Sequence, residues 1–380
     1  MIAALGLLTG AVVAAARTPA KADTALATPS PTTRPSPSPS RSLAVIKPSP
    51  VPSVTPKSSP KPTSSPARPL TNQSQKRSFL WGATIQLFPF KENNSPFLPE
   101  QFRLAHELGL NVVRADYSLT DSAMNQLAID QADKYNIALV FIIPFGPKDI
   151  FTDSNLSSDA YQYVHAIVAA HKGQVPVWQL ATEPASVALI DGGHYGVDKV
   201  DYPDSKYVPV ATWLKAASKA VHDADPAARR MINDQWTHVG FFDRFLADGG
   251  DFDILGWNWF SDMGTDMTNP VINTATGQHY ALMQKLVSFH RDIWITESNR
   301  RGGSHDGNET AQANYIQTMA EKAYANPAIK AYLVFDLVED QSAPSQEQGY
   351  GIVNVNLVTD WTASFKAAYG RYQNLIASKK

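Results

Sequence analysis

The 380-residue chain contains no cysteine. A disulfide framework and thiolate metal sites are thereby excluded. Other signatures are missing too. No P-loop and no Gly-x-Gly-x-x-Gly turn is present to cradle a phosphate, and no Gly-x-Ser-x-Gly elbow to raise a serine nucleophile. The histidines form neither a His-x-His pair at a strand end nor a His-Glu-x-x-His helix. Metal-dependent, phosphate-dependent and serine-nucleophile chemistry lack support, so no metal and no cofactor is expected.

Glycine is absent from one long stretch. Residues 23–77 hold 13 of the chain's 27 prolines and no glycine, with eight Lys/Arg against a single Asp. This Pro/Ser/Thr-rich composition cannot bury enough apolar surface to offset its ordering entropy, so the segment is expected to be a disordered linker. Proline without glycine favours extended polyproline II, a semi-rigid spacer of roughly 3.1 Å per residue. Before it, Ile2–Ala16 is an apolar run of 15 residues. That is short of the ~20 residues that span a bilayer, and small-residue sites such as Ala20-Lys21-Ala22 follow it. Residues 1–22 therefore read as a signal peptide or, with no Lys or Arg ahead of the run, as an N-terminal anchor. A secreted or extracytoplasmic location follows, with a membrane or cell-wall tether if the run is retained.

The leader carries +9 (ten Lys/Arg less one Asp), so with a total of −2 residues 78–380 carry −11. An acidic body with no long basic run is a poor nucleic-acid binder. About 300 residues can bury a large core. Eight apolar, β-branched runs punctuate this body: "WGATIQ" from Trp81, "NVVRAD" from Asn111, "ALVFIIP" from Ala138, "VPVWQLAT" from Val175, "RRMIN" from Arg229, "FDILGWNW" from Phe252, "DIWITE" from Asp292 and "AYLVFD" from Ala331. Several are continuously apolar, as strands buried on both faces of a parallel sheet must be. Helix-period segments lie between them, such as Trp213, Leu214, Ala217 and Val221, or Phe365, Ala368, Tyr369, Tyr372 and Ile376. Eight β/α units predict a (β/α)8 TIM barrel over 78–380, preceded by the disordered leader. A doubly wound open sheet would usually show a Gly-rich turn after its first strand, and "WGATIQLFPF" has none.

Chemistry in such a barrel sits at the C-terminal strand ends. Glu183 ends the fourth strand and Glu297 the seventh, 114 residues apart, or three β/α units. A carboxylate closing an apolar strand is costly unless paired or hydrogen-bonded. Two of them facing each other across one cleft suit glycosidic cleavage, in which one must be protonated and the other ionised.

The segments "LGLNVVRADYS", "WQLATEP", "FDILGWNWFS", "IWITES" and "LVFDLVEDQ" with "EQGYGIVNVN" together resemble the retaining glycoside hydrolases of clan A, which include families 5 and 39. The resemblance spans residues 79–377. It implies Glu183 as acid/base, Glu297 as nucleophile and Arg114 as support for the nucleophile. Two departures stand out: Thr182 occupies the place of an Asn that binds the sugar 2-hydroxyl, and Asn258, Trp259 and Phe260 stand where a Tyr or His is usual. Asn233 is a substitute donor. Trp236, Trp257 and Trp259 are candidate sugar platforms, Trp257 and Trp259 sharing one face as either cleft lining or packing. Asp336 and Glu339 are candidate substrate ligands; His238 and His305 are loop histidines with weaker claims. The expectation is a secreted monomer acting on an oligo- or polysaccharide, with a catalytically impaired, glycan-binding barrel as the alternative.

Overall fold

The computed structural model describes residues 79–87, 97–190, 195–264, 267, 271–273, 279–340, 348–356 and 362–380. The expectations for the leader lie outside these residues. The eight expected strands all form: β1 Leu80–Thr84, β2 Val112–Asp116, β3 Ala138–Ile143, β4 Val177–Leu180, β5 Arg229–Gln235, β6 Ile254–Phe260, β7 Asp292–Asn299 and β8 Ile329–Val334. They pair in parallel with their chain neighbours, and β8 pairs back onto β1 (Leu80 with Ala331, Gly82 with Leu333), closing the barrel. The fold is a TIM barrel.

Side-chain alternation divides each strand between two environments. Leu80, Val112, Val140, Val177, Met231, Ile254, Trp294, Ala331 and Leu333 form a small cluster inside the barrel. The other face of each strand joins a much larger cluster under the helices. Stepping up by two from the inner layer reaches Arg114, Gln179, Asn233 and Gly256, so the interior turns from apolar to polar toward the C-terminal ends. Gly256 is needed there: a Cβ at that position would lie 2.6 Å from Asn233 Cβ and 2.9 Å from Thr296 Cγ2.

The helices are α1 Phe97–Leu108, α2 Ser122–Tyr135, α3 Leu156–Ala170, the short α4 Pro184–Ala188, α5 Asp204–Ala224, α6 Val239–Ala247, α7 Leu282–Ser288, α8 Glu309–Ala325 and α9 Ala367–Lys379. The helix-period residues read in α5 and α9 are buried with one exception. Phe365 is 54% exposed and belongs to a strand, Thr362–Phe365, paired antiparallel with Val353–Asn356. The helix starts two residues later because Lys366 turns inward to pair with the buried Glu339 carboxylate. The hydroxyl of Tyr372 on α9 lies 3.1 Å from the carbonyl oxygens of both Gly82 and Tyr332, fastening this last helix to β1 and β8.

Candidate active site

The site starts from Arg114, the inward residue two steps above Val112 on β2. The residue is 1% exposed, so its charge must be met internally. Nη1 donates to Glu297 Oε1 at 2.8 Å, and Nε donates to Gln179 Oε1 at 2.7 Å. Gln179, on β4, passes the connection on: its Nε2 donates to Asn233 Oδ1 at 2.8 Å and to the Ala181 carbonyl at 2.8 Å. Asn233 Nδ2 reaches Asn258 Oδ1 at 3.3 Å, and Thr296 Oγ1 donates to that same oxygen at 2.8 Å. A buried polar layer therefore runs across β2, β4, β5, β6 and β7, linked by these hydrogen bonds and leaving Arg114 Nη2 without a partner.

Both glutamates stand on this layer, each through a local irregularity. On β7 the register slips: Trp257 pairs with Ile295, but Asn258 pairs with Glu297, leaving Thr296 as one extra residue. Such a bulge re-aims the side chain that follows it. Here it brings Glu297 level with Asn258. On β4 the strand ends in two left-handed residues, Ala181 (φ 58) and Glu183 (φ 46), on either side of Thr182. That conformation costs a non-glycine residue on the order of 1–3 kcal/mol and persists only where surroundings enforce it. The enforcing bonds are present. Ala181 N–H donates to the Ile143 carbonyl at 2.8 Å, Glu183 N–H to Asn233 Oδ1 at 3.1 Å, and Ala185 N–H to Asp234 Oδ2 at 2.6 Å.

The Glu183 carboxylate accepts from Asn258 Nδ2 and Gln235 Nε2, both at 2.7 Å. Asn258 is thus the register partner of one glutamate and the hydrogen-bond donor of the other. Glu183 is 7% exposed and Glu297 8%. Burial, then the charges of Glu297 and Asp234, pushes the Glu183 carboxyl up to about 8, against the opposing pull of the Asn258 hydrogen bond and Arg114. Asp336, just beyond β8, is held well above the usual carboxylate range by burial and by Glu297 and Asp340.

The remaining expected site residues divide sharply. Arg114, Asn233, Asn258 and Asp336 are buried; the first three hydrogen-bond to Glu297 or Glu183, and Asp336 lies near Glu297 without a hydrogen bond to it. Thr182 is exposed and Trp236 half-buried, so these two reach solvent. Trp257 and Trp259 are corrected from possible platforms to packing residues. Asn258 faces the barrel interior, so its neighbours must face the helices, and both indoles are fully buried. Trp259 stacks on Trp236 with ring centroids 5.7 Å apart, and Trp257 Nε1 donates to the Trp236 carbonyl at 3.2 Å, holding Trp236 in its own left-handed conformation (φ 51). Glu339 pairs with Lys366, not with the cleft. His238 is buried against Asp234 at 2.5 Å, while His305 is exposed on the loop after β7.

Sequence reasoning passed over Gln179 and Gln235. The signal for Gln179 was available: a polar residue two steps along from an inward Val177, inside an otherwise apolar run. Gln235 had only its place beyond Asn233 and Asp234 to mark it. Among the described residues no group of His, Asp and Glu side chains is arranged to hold a metal ion. None of their helices is long and apolar enough to cross a membrane.

No protein-family model matches the chain, and no curated protein matches it. Solved structures do. The β-glucosidase from Thermotoga maritima in complex with deoxynojirimycin superposes with a TM-score of 0.59 at 15% identity, covering 80% of this chain and 99% of its own. The structure described as family 1 β-glucosidase from Thermotoga maritima gives 0.58 at 15% identity over 81% and 99%. The same enzyme in complex with glucoimidazole gives 0.58 at 14% identity over 80% and 99%. These likenesses establish the barrel fold.

Proposed function

We propose that this chain is a glycoside hydrolase that cleaves β-linked oligo- or polysaccharides with retention of configuration. The observation that carries the reading is the pair of glutamates on β4 and β7, joined through Asn258 and held in different electrostatic settings. Arg114 Nη1 pairs with Glu297 Oε1 at 2.8 Å. Burial keeps the proton on Glu183, whose carboxyl sits at about 8. One acid and one base from two identical side chains is the division that glycoside cleavage requires. The β-glucosidase neighbours, some bound to sugar-like molecules, support the same class of substrate.

In this reading an ionised Glu297 oxygen attacks the anomeric carbon. The glycosidic C–O bond breaks as Glu183 gives its proton to the leaving oxygen, and a glycosyl ester on Glu297 results. Glu183, now ionised, takes a proton from water as that water attacks the anomeric carbon, and Glu297 leaves. The scheme expects carboxyl groups roughly 5–5.5 Å apart, against 6.5–9.5 Å for an inverting pair. Thr182 and Trp236, which reach solvent, are read as residues that meet the sugar. The leader would export the barrel and, if retained, tether it; the barrel itself is read as a monomer.

A second reading keeps binding and drops turnover. Both oxygens of Glu183 are already engaged by Asn258 and Gln235, which favours this reading because a general acid must turn one of them to the substrate. A digestion screen over β-glycans and aryl β-glycosides separates the two. Release of reducing sugar by the wild type and not by Glu297→Ala supports hydrolysis. Retention on a glycan array with no release from any substrate supports the binding reading.

A further inference from the structure

Three polar atoms at the top of the barrel interior are buried with no hydrogen-bond partner: Thr84 Oγ1, Arg114 Nη2 and Asp336 Oδ1. Thr84 and Arg114 lie on the neighbouring strands β1 and β2, and Asp336 lies just beyond the end of β8. Thr84 is the Cα partner of Arg114 across β1 and β2. The Leu337 N–H donates to the Thr84 carbonyl at 2.9 Å, which sets Asp336 beside the end of β1. One of the three is an obligate donor, one an acceptor when ionised or at its carbonyl oxygen, and one can be either. Buried polar groups of that kind are usually bridged by an internal water making about three hydrogen bonds.

We propose that Asp336 is a positioning residue for Glu297, acting through Arg114 and one buried water held by Asp336 Oδ1, Arg114 Nη2 and Thr84 Oγ1. The water accepts from Nη2 and donates to the carboxyl and hydroxyl oxygens. Arg114 is then fixed at all three nitrogens: Nε by Gln179, Nη1 by Glu297 and Nη2 by the water. Its guanidinium plane, and with it the direction of the Glu297 carboxylate, is set from the β8 side as well as from β4. The inference rests on the reading of Glu297 as nucleophile.

The groups that surround Asp336 agree with a neutral carboxyl there. β7 presents Glu297, β2 presents Arg114, and its own segment carries Asp340; β1 contributes Thr84 and the residues just after it Gln86, which hydrogen-bonds Asp336, neither of which titrates. The segment that follows supplies the Tyr350 carbonyl to the Asp336 N–H. Burial, with Glu297 and Asp340 nearby against the single Arg114 guanidinium, raises the Asp336 carboxyl well above its ordinary range, in the direction of the neutral form. A neutral Asp336 does not compete with Glu297 for Arg114.

The full chain with Asp336→Ala, Asp336→Asn and Thr84→Val tests this, assayed on a β-glycoside that the wild type turns over. Asp336→Ala is expected to lower kcat on the order of 10²-fold, the loss typical of a small misplacement, with KM nearly unchanged. Asp336→Asn has the shape of the neutral acid and is expected to restore most of that loss; Thr84→Val falls between. Wild-type kcat in Asp336→Ala overturns the proposal, as does an Asp336→Asn variant as slow as Asp336→Ala. A wild type inactive on every glycoside contradicts the glycosidase reading instead. A high-resolution crystal structure then decides the inference alone, as it does if Asp336→Ala does not fold. A water within ~2.7–3.2 Å of all three atoms supports it, and no water there overturns it.

Discussion

Glu183 is buried among anions, and that burden falls on the folded state alone. Its carboxyl sits at about 8 in the barrel against an ordinary 4.5. Between those values the folded chain holds a proton that the unfolded chain has released, so stability falls as pH rises from about 4.5 to about 8 and levels off above. Glu183→Gln cannot ionise. It should leave thermal stability at pH 4.5 unchanged and raise it at pH 8 by at least ~1 kcal/mol, since a tenfold difference in proton affinity between the folded and unfolded chain is worth ~1.4 kcal/mol. Melting curves of the two proteins at both pH values check this; equal differences at the two would contradict it. In the proposed mechanism the same proton governs activity: Glu183 acts as general acid in its protonated form, so kcat/KM should fall as pH climbs through about 8. Among single residues, the two glutamates were legible in the sequence because each ends an apolar strand. The buried amides that hold them were harder to see, since Gln179 and Gln235 carry no charge to mark them.

Among elements, the register slip between β6 and β7 matters most. Without the extra residue at Thr296, Asn258 would pair with Thr296 and Glu297 would turn toward the helices. Gly256 makes room for it. Gly256→Ala would press a methyl group against Asn233 and Thr296, both in contact with Asn258. A destabilisation of about 1–3 kcal/mol is expected, with a loss of kcat beyond what the lost folded population explains. By contrast Asp121, whose carboxylate caps α2 at Met124 N–H (3.0 Å), lies away from the network. Asp121→Ala should cost ~1 kcal/mol in denaturant titration and leave kcat unchanged. The strands themselves were readable from hydrophobic runs to within a residue or two. The bulge was not, because periodicity marks which residues alternate and not where a neighbour's register slips. Trp257 and Trp259 show the same limit: alternation put them on one face, and only the inward position of Asn258 decides that this face meets the helices. Phe365 fitted a helical period by chance of spacing, and Lys366, drawn to Glu339, is what ends that period.

For the whole molecule, the contrast of a +9 leader and a −11 body divides the chain before any motif is considered. The barrel closes between β1 and β8 and is fastened by α9, all within residues 79–380. Removing residues 1–77 should therefore leave the melting temperature and kcat/KM of the remainder unchanged; a loss of either would show that the leader belongs to the barrel's fold or site. The eight-unit rhythm was legible because each unit repeats the same apolar alternation. The arrangement around the glutamates was less so, because a bulge and two left-handed residues set it and no periodicity fixes these. What the assembled site does is tested most directly by covalent trapping. The wild-type chain is treated with a panel of 2-deoxy-2-fluoro-β-glycosyl fluorides, then examined by intact mass and peptide mapping. A single glycosyl adduct on Glu297, absent from Glu297→Ala, is the expected result. An adduct on any other residue, or turnover of a β-glycoside with inversion and no adduct, would contradict the assignment of Glu297 as nucleophile.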